Sequence, residues 1–249
     1  MTMCSAFPNP ESDALTSEFL RLCSGNGPSI SPEIVERCVQ HLLLVLEVNK
    51  ITNLTRITDL HEALVLHLFD SLTLLPYLCG APEGPCLDMG TGAGFPGIPL
   101  CLCSDRHFTL LDSVGKKVNA VSSFIRSLGL ASRCVAVQDR VESFASSRPG
   151  SYAAVTARAM SSLPVLVEYA APLLVTGGYL IVSKGNPTRD ELNHGNRAGK
   201  ICGMRLVKQS SLELPLELGH REILVYERYA KPQIALPRAI GAAKKSPLG

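Results

Sequence analysis

The chain has 249 residues, 46% of them hydrophobic and 18% charged, with a formal net charge of +2. That length and apolar content support a full hydrophobic core and exclude general disorder. A charge this near neutral does not by itself point to nucleic acid, although from Lys231 onward the chain carries Lys231, Arg238, Lys244 and Lys245 and no acid.

Residues 1–11 are small, polar and Pro-containing and read as a frayed start. No Lys or Arg precedes Arg21, so this segment does not read as a signal peptide. Glu11 to Cys23 reads as a short helix, stopped by Gly25-Asn26-Gly27-Pro28. Ser31 then suits an N-cap with Pro32 at the first helical position, and Val35, Cys38, Val39 and Leu42 keep helical spacing as far as Asn49. The connection Asn49-Lys50-Ile51-Thr52-Asn53-Leu54-Thr55 is unusually polar. Asp59 caps a further helix in which Ala63, Leu64, His67 and Leu68 share a face, continued by Leu72 to Leu78. His67 and Asp70 lie three apart, which suits either acid–base chemistry or a hydrogen-bonded core histidine. No uninterrupted apolar run reaches 18 residues, so no membrane contact is expected.

Gly80 to Pro85 marks a boundary, after which strands and helices alternate. Cys86–Met89 reads as a first strand that runs into glycines at 90, 92, 94 and 97. Strands follow at Phe108–Leu111, Cys134–Val137, Ala153–Thr156 and Tyr179–Ser183. Helices follow from Gly97, from Lys116 to Leu128 and from Leu163 to Leu174. Met204–Lys208 and Glu222–Glu227 read as a closing hairpin at the sheet edge. The alternation predicts an α/β fold with a mostly parallel sheet and helices on both faces. Ligands of such sheets bind beyond the carboxyl ends of the strands.

The glycine turn satisfies two rules. Gly92, Gly94 and Gly97 form G-x-G-x-x-G, with Asp112 twenty residues after Gly92, as in dinucleotide-binding folds. Gly90, Gly92 and Gly94 form the tighter G-x-G-x-G of S-adenosylmethionine enzymes. Asp88, placed at the mouth of the strand, would repel a pyrophosphate and suit an ammonium and a sulfonium. An NAD(P)-dependent oxidoreductase is therefore the rival enzyme class, and a non-catalytic RNA-binding protein with the same fold is a third reading. Asp112 suits a pair of ribose hydroxyls or an N-cap. Asp139 to Glu142 suit an adenine edge or a charged turn. Arg158 and Lys184, after the fourth and fifth strands, suit an anion or a surface position. Nine cysteines without C-x-x-C read as reduced thiols of a cytoplasmic protein, and no His/Cys pattern suggests a metal.

Taken in order, several segments resemble the RsmG (GidB) family of bacterial 16S ribosomal RNA guanine-N7 methyltransferases. They are residues 49–57, 67–72, 88–99, 111–117, 140–142 and 156–159, with the tail Pro237-Arg238…Gly241…Lys244-Lys245-Ser246-Pro247-Leu248. The resemblance implies a class I methyltransferase (Rossmann-like) fold with a seven-stranded, mostly parallel sheet. It would comprise an N-terminal helical extension (1–80), a methyltransferase domain (81–230) and a basic tail (231–249). It implies S-adenosyl-L-methionine as cofactor, held at Gly90, Phe95, Val141, Glu142 and Arg158, with Asp112 at the ribose; the reading of the glycine turn adds Asp88, Gly92 and Gly94 to the expected site. The implied target is N7 of guanosine 527 in the 530 loop of 16S rRNA, presented as free RNA or as the small subunit. Lys50, Arg56, Arg158, Lys184, Arg238, Lys244 and Lys245 are the expected RNA contacts, and a monomer is expected. The tail departs from the family pattern at Ala239 and Ala243. Guanine N7 already bears a lone pair, so no catalytic base is assigned.

Overall fold

The computed structural model describes residues 10–26 and 29–249; of the expected frayed start (residues 1–11), residues 1–9 lie outside the described residues, as do Gly27-Pro28, whereas residues 10 and 11 already belong to a helix. Seven strands form one sheet in the order β3-β2-β1-β4-β5-β7-β6. They are β1 (Cys86–Met89), β2 (Phe108–Asp112), β3 (Cys134–Gln138), β4 (Tyr152–Arg158), β5 (Leu174–Lys184), β6 (Met204–Glu213) and β7 (His220–Arg228). β1 to β5 are parallel. β7 is antiparallel to both β5 and β6, as the expected hairpin requires, and β7 is the member inside the sheet. The two strands of this hairpin run several residues beyond the apolar segments that mark them in the sequence.

The front end holds α1 (Pro10–Asn26), α2 (Pro32–Asn49), α3 (Leu60–Ala63), a π-helical turn (Leu64–Phe69), α4 (Asp70–Leu72) and α5 (Leu75–Cys79). Their starts follow from side-chain caps. Ser31 accepts from the Ile34 amide and Asp59 from the Glu62 amide, which satisfies donors that a helix N-terminus leaves open. Asn49 explains the polar connection after α2. Its Oδ1 accepts from the amides of Leu54 (2.7 Å) and Thr55 (3.0 Å), and its Nδ2 donates to the Thr55 carbonyl. One side chain thus fixes the whole reversal.

Between the strands lie α6 (Gly97–Leu102), α7 (Gly115–Ser127), α8 (Val141–Ser147), α9 (Leu163–Ala170) and α10 (Arg189–Cys202), and α11 (Ala242–Lys245) lies in the tail. The sequence reading contains no helix for α8 or α10. α8 is short, and α10 is mostly polar, with only Gly195, Ala198, Gly199 and Cys202 buried. Two cores flank the sheet. α1 to α5, α6 and α7 pack on one face in a continuous cluster with β1 and β2, whereas α8, α9, α10 and Ala243 of α11 pack on the other. The run Leu60–Cys79 is apolar and long enough by composition to cross a membrane. Two-thirds (67%) of its most apolar window is buried within the fold, so it is a core segment here.

Candidate active site

The glycine turn lies between the end of β1 and the start of α6, and Gly90, Gly92 and Gly94 all have positive φ. Such angles are strained for a side chain, which explains the glycines. Gly97 answers a different need. A Cβ there would meet Leu110 Cδ2 at 2.2 Å and Asp88 Oδ2 at 2.8 Å, so only a bare Cα lets α6 close on β1 and β2.

Asp88 does not stand at the mouth of the strand. It is fully buried beneath the turn, with Oδ2 accepting from the Gly97 amide (3.1 Å) and Oδ1 from the Thr156 hydroxyl (3.0 Å). Burial pushes its carboxyl up to about 6, against these hydrogen bonds, which lower it. Its position is corrected from a ligand-facing acid to an internal staple between β1, β4 and α6. Asp112, at the end of the neighbouring strand β2, braces the turn in a similar way. Its Oδ2 accepts from the Gly92 amide (3.0 Å) and its Oδ1 from the Val114 amide (2.9 Å). Unlike Asp88, it also lines a cleft above the sheet; the helix that follows begins at Gly115 with Val114 as its N-cap, so Asp112 is not that helix's cap.

That first cleft, of about 280 Å³, is walled by Gly90, Asp112, Asp139, Val141, Tyr169 and Lys244. Its charged lining is mixed: Asp112, Asp139 and Glu142 against Lys117, Arg140 and Lys244. The two amides that a phosphate cradle would use, Gly92 N and Gly97 N, are committed to Asp112 and Asp88. The cleft therefore fits a nucleoside with balanced charge better than a pyrophosphate.

Phe95 faces away from this cleft. It is buried between two histidines, His67 at 4.6 Å (centroids) and His41 at 4.5 Å. Glu142 is at the cleft wall, but its carboxylate is held by the protein. Oε1 accepts from Tyr169 OH (3.1 Å) and from the Gly241 amide (2.8 Å), and Arg140 lies at 3.6 Å. Burial raises its pKa, and the Gly241, Tyr169 and Arg140 contacts outweigh that and lower it. The basic tail is thus built into the site wall. Arg238 grips the buried Glu168 of α9 through Nε (2.7 Å) and Nη2 (2.6 Å) and donates to the Ser246 carbonyl. Its expected role as an open RNA contact is corrected to that of an internal latch. Lys244 and Lys245 beside it remain exposed.

Arg158 also leaves the first cleft. It lines a second one, of about 350 Å³, with His67, Asp70, Lys184 and Arg221. The clefts share Ala159, whose φ of +45° turns the chain between them. The π-helical turn presents the Leu66 carbonyl 3.4 Å from both Arg158 Nη atoms, and Asp70 Oδ2 sits 2.7 Å from Nη1. Lys184 bonds Glu191 (2.9 Å) and the Ser161 carbonyl (3.0 Å) at the same edge. His67 is a satisfied core histidine at one nitrogen, Nε2 to Thr55 Oγ1 at 2.9 Å, and its Nδ1 is buried without a partner. Of the polar connection, Arg56 shares a cavity with Lys117, which also lines the first cleft, whereas Lys50 pairs with Glu47 on the surface. Arg221 and Tyr169 are site residues that the sequence does not mark.

The strand order and the cleft over a β1–α6 glycine turn define a class I methyltransferase fold. Solved structures with this fold include an O-methyltransferase from Bacillus cereus in complex with SAH (TM-score 0.54, 15% identity, 87% of this chain and 99% of that one). Another is geranyl diphosphate methyltransferase in complex with SAM (TM-score 0.52, 13% identity, 64% and 84%). Within that class, residues 34–222 match the family described as rRNA small subunit methyltransferase G. The chain is 37% identical over 212 residues to ribosomal RNA small subunit methyltransferase G of Desulforamulus reducens, covering 82% of this chain and 86% of that protein. It is 33% identical over 234 residues to the Bacillus cytotoxicus protein of the same name (93% and 98%). The chain belongs to the rRNA small subunit methyltransferase G family and is an S-adenosylmethionine-dependent rRNA methyltransferase. The oxidoreductase alternative falls with that membership.

Proposed function

We propose that the chain methylates N7 of a guanine in 16S rRNA, the guanosine of the 530 loop, with S-adenosylmethionine in the first cleft. The observation that carries the cofactor placement is the commitment of Gly92 N and Gly97 N to carboxylates, which leaves no phosphate cradle beside a cleft of mixed charge. In this reading Asp112 and Asp139 face the nucleoside end, and Gly90 and Val141 supply close backbone and apolar wall. Gly94 shapes the turn without lining the cleft, and Asp88 and Phe95 hold the turn from below.

The cofactor supplies an electrophilic methyl group. Guanine N7 supplies its own lone pair, so no residue need remove a proton before attack. The protein's task is to hold N7 in line with the methyl group and to exclude water. Charge passes from sulfur to the guanine ring, so the fixed carboxylates beneath the turn favour the transfer. Lys244 lines the first cleft with Lys245 next to it in the chain, Arg56 lines a separate cavity that shares Lys117 with that cleft, and Arg158 and Lys184 line the second. We assign all five to RNA, with Lys50 further out. The protein acts as a monomer in the cytoplasm and does not contact membrane.

The test is methyl transfer from labelled donor to small subunits, and to free 16S rRNA, isolated from cells lacking the enzyme. Mass spectrometry of the product should place the label at N7 of the 530-loop guanosine. Label at another nucleotide, or none with either substrate, overturns the reading.

A further inference from the structure

The second cleft contains an arrangement for which the fold alone offers no reason. Two arginines from different strands converge on one carboxylate oxygen. Arg158 Nη1, at the end of β4, lies 2.7 Å from Asp70 Oδ2, and Arg221 Nε, at the start of β7, lies 3.0 Å from the same atom. Ser183 Oγ of β5 donates to the other oxygen, Oδ1, at 3.2 Å. Asp70 is buried (5% exposed) and its carboxylate is fully engaged, so it is neither a free base nor a metal ligand. It holds two like charges side by side at the mouth of a cleft.

The charges do not balance. Glu191 answers Lys184 and Asp70 answers one arginine, which leaves one guanidinium charge in excess. Donors also remain. Arg158 Nε is buried with no partner, and Arg221 uses Nε on Asp70 and Nη1 on the His220 carbonyl, leaving Nη2. One unused nitrogen on each guanidinium, with the excess positive charge, suits a singly charged oxyanion. Ile57, Leu66 and Ala159 give the lining an apolar side, beside His67 and Gly185, and Ala159 is the wall shared with the first cleft.

We infer that the second cleft receives the nucleotide to be methylated, with Arg158 and Arg221, fixed by Asp70, clamping a phosphodiester that flanks its base. The apolar wall takes the base, and the shared Ala159 brings it beside the first cleft. The clamp carries the charge for the backbone phosphate. This inference rests on the proposed rRNA methyl transfer.

The experiment compares the wild-type protein with Arg221→Gln and Arg221→Lys, each with S-adenosylhomocysteine bound. Binding to small-subunit RNA is measured across a salt series. R221Q should bind RNA about tenfold more weakly, with the slope of log K against log salt reduced by about one. R221K, which keeps the charge, should restore the slope, and S-adenosylhomocysteine should bind all three proteins alike. An Arg221 that merely pins Asp70 would change thermal stability and leave the slope at its wild-type value; that result overturns the clamp. Should R221Q fail to bind the product, R221K decides alone. Its methyl transfer should then show a raised KM with kcat retained, and wild-type KM and slope together overturn the proposal. Loss of methyl transfer by the wild-type protein is a different failure, that of the parent reading.

Discussion

The ring of His67 lies flat on that of Phe95, with centroids 4.6 Å apart and planes 5° from parallel. On its other flank Phe95 meets His41 at 4.5 Å. The stack ties the glycine turn to α2 and to the π-helical turn. Both imidazoles are held neutral. Burial is the main cause at each, pushing His41 and His67 down to about 3, against the Ala93 carbonyl that raises His41 and with the Arg158 charge that further lowers His67.

That depression makes stability pH-dependent with a definite sign. Between their ordinary value, about 6.5, and the folded value, the unfolded chain binds these protons and the folded chain does not. The stabilisation is therefore complete above about pH 6.5 and is lost as pH falls toward 3. Each histidine contributes a slope of up to about 1.4 kcal/mol per pH unit in that window. Urea unfolding at pH 7, 6, 5 and 4 should show the decline, and His41→Phe should remove roughly one proton's share of it. A variant with the wild-type slope would refute the assignment.

Gly97→Ala should be severely damaging. The added methyl collides with Leu110 and Asp88 and threatens the amide contact that staples α6. Overpacking of this kind costs about 1–3 kcal/mol, and the displaced hydrogen bond adds to it. Denaturant midpoints check the loss, and Gly185→Ala, where no atom lies within 4 Å, serves as the tolerant control.

Asp112→Asn replaces one of two accepting oxygens with a donor facing an amide. Either Gly92 N or Val114 N then loses its partner. A hydrogen bond to a charged group contributes about 1.5–3 kcal/mol, so S-adenosylhomocysteine should bind roughly tenfold to a hundredfold more weakly. Calorimetric titration reads this directly. Asp88→Asn, by contrast, should chiefly lower stability, because Asp88 lies beneath the turn.

Much of this site is legible from local pattern. The strand–glycine–helix sequence, Asp112 at the end of β2 and Lys184 at the end of β5 follow from apolar runs that stop at polar residues. What is not legible depends on partners distant in sequence. β1 is buried on both faces, so no alternation tells which way Asp88 points. Arg221 opens a strand, a place that local pattern does not associate with ligands. It reaches the site because β7 runs antiparallel to β5, with Glu222 opposite Lys184. The same holds for Arg238, whose partner Glu168 lies 70 residues away. A basic tail read alone looks like an RNA-binding arm.

Arg238→Ala should release that tail. Glu168, 3% exposed, would be left buried without its cation, a loss that typically costs about 3–5 kcal/mol. The measurable consequences are faster proteolysis within residues 231–249 and weaker product binding in the first cleft. Double replacement, R238A with Glu168→Gln, should recover stability but not the closed tail. Product affinity unchanged in R238A would remove the tail from the cofactor wall.

The latch has a consequence for how the enzyme comes into being. Gly241 and Arg238, which complete the wall at Glu142 and Glu168, are translated after every strand of the sheet. A nascent chain that has emerged only through β7 has its sheet and its glycine turn but lacks that wall. The wall of the first cleft is therefore finished last, when the tail folds back onto Glu142 and Glu168.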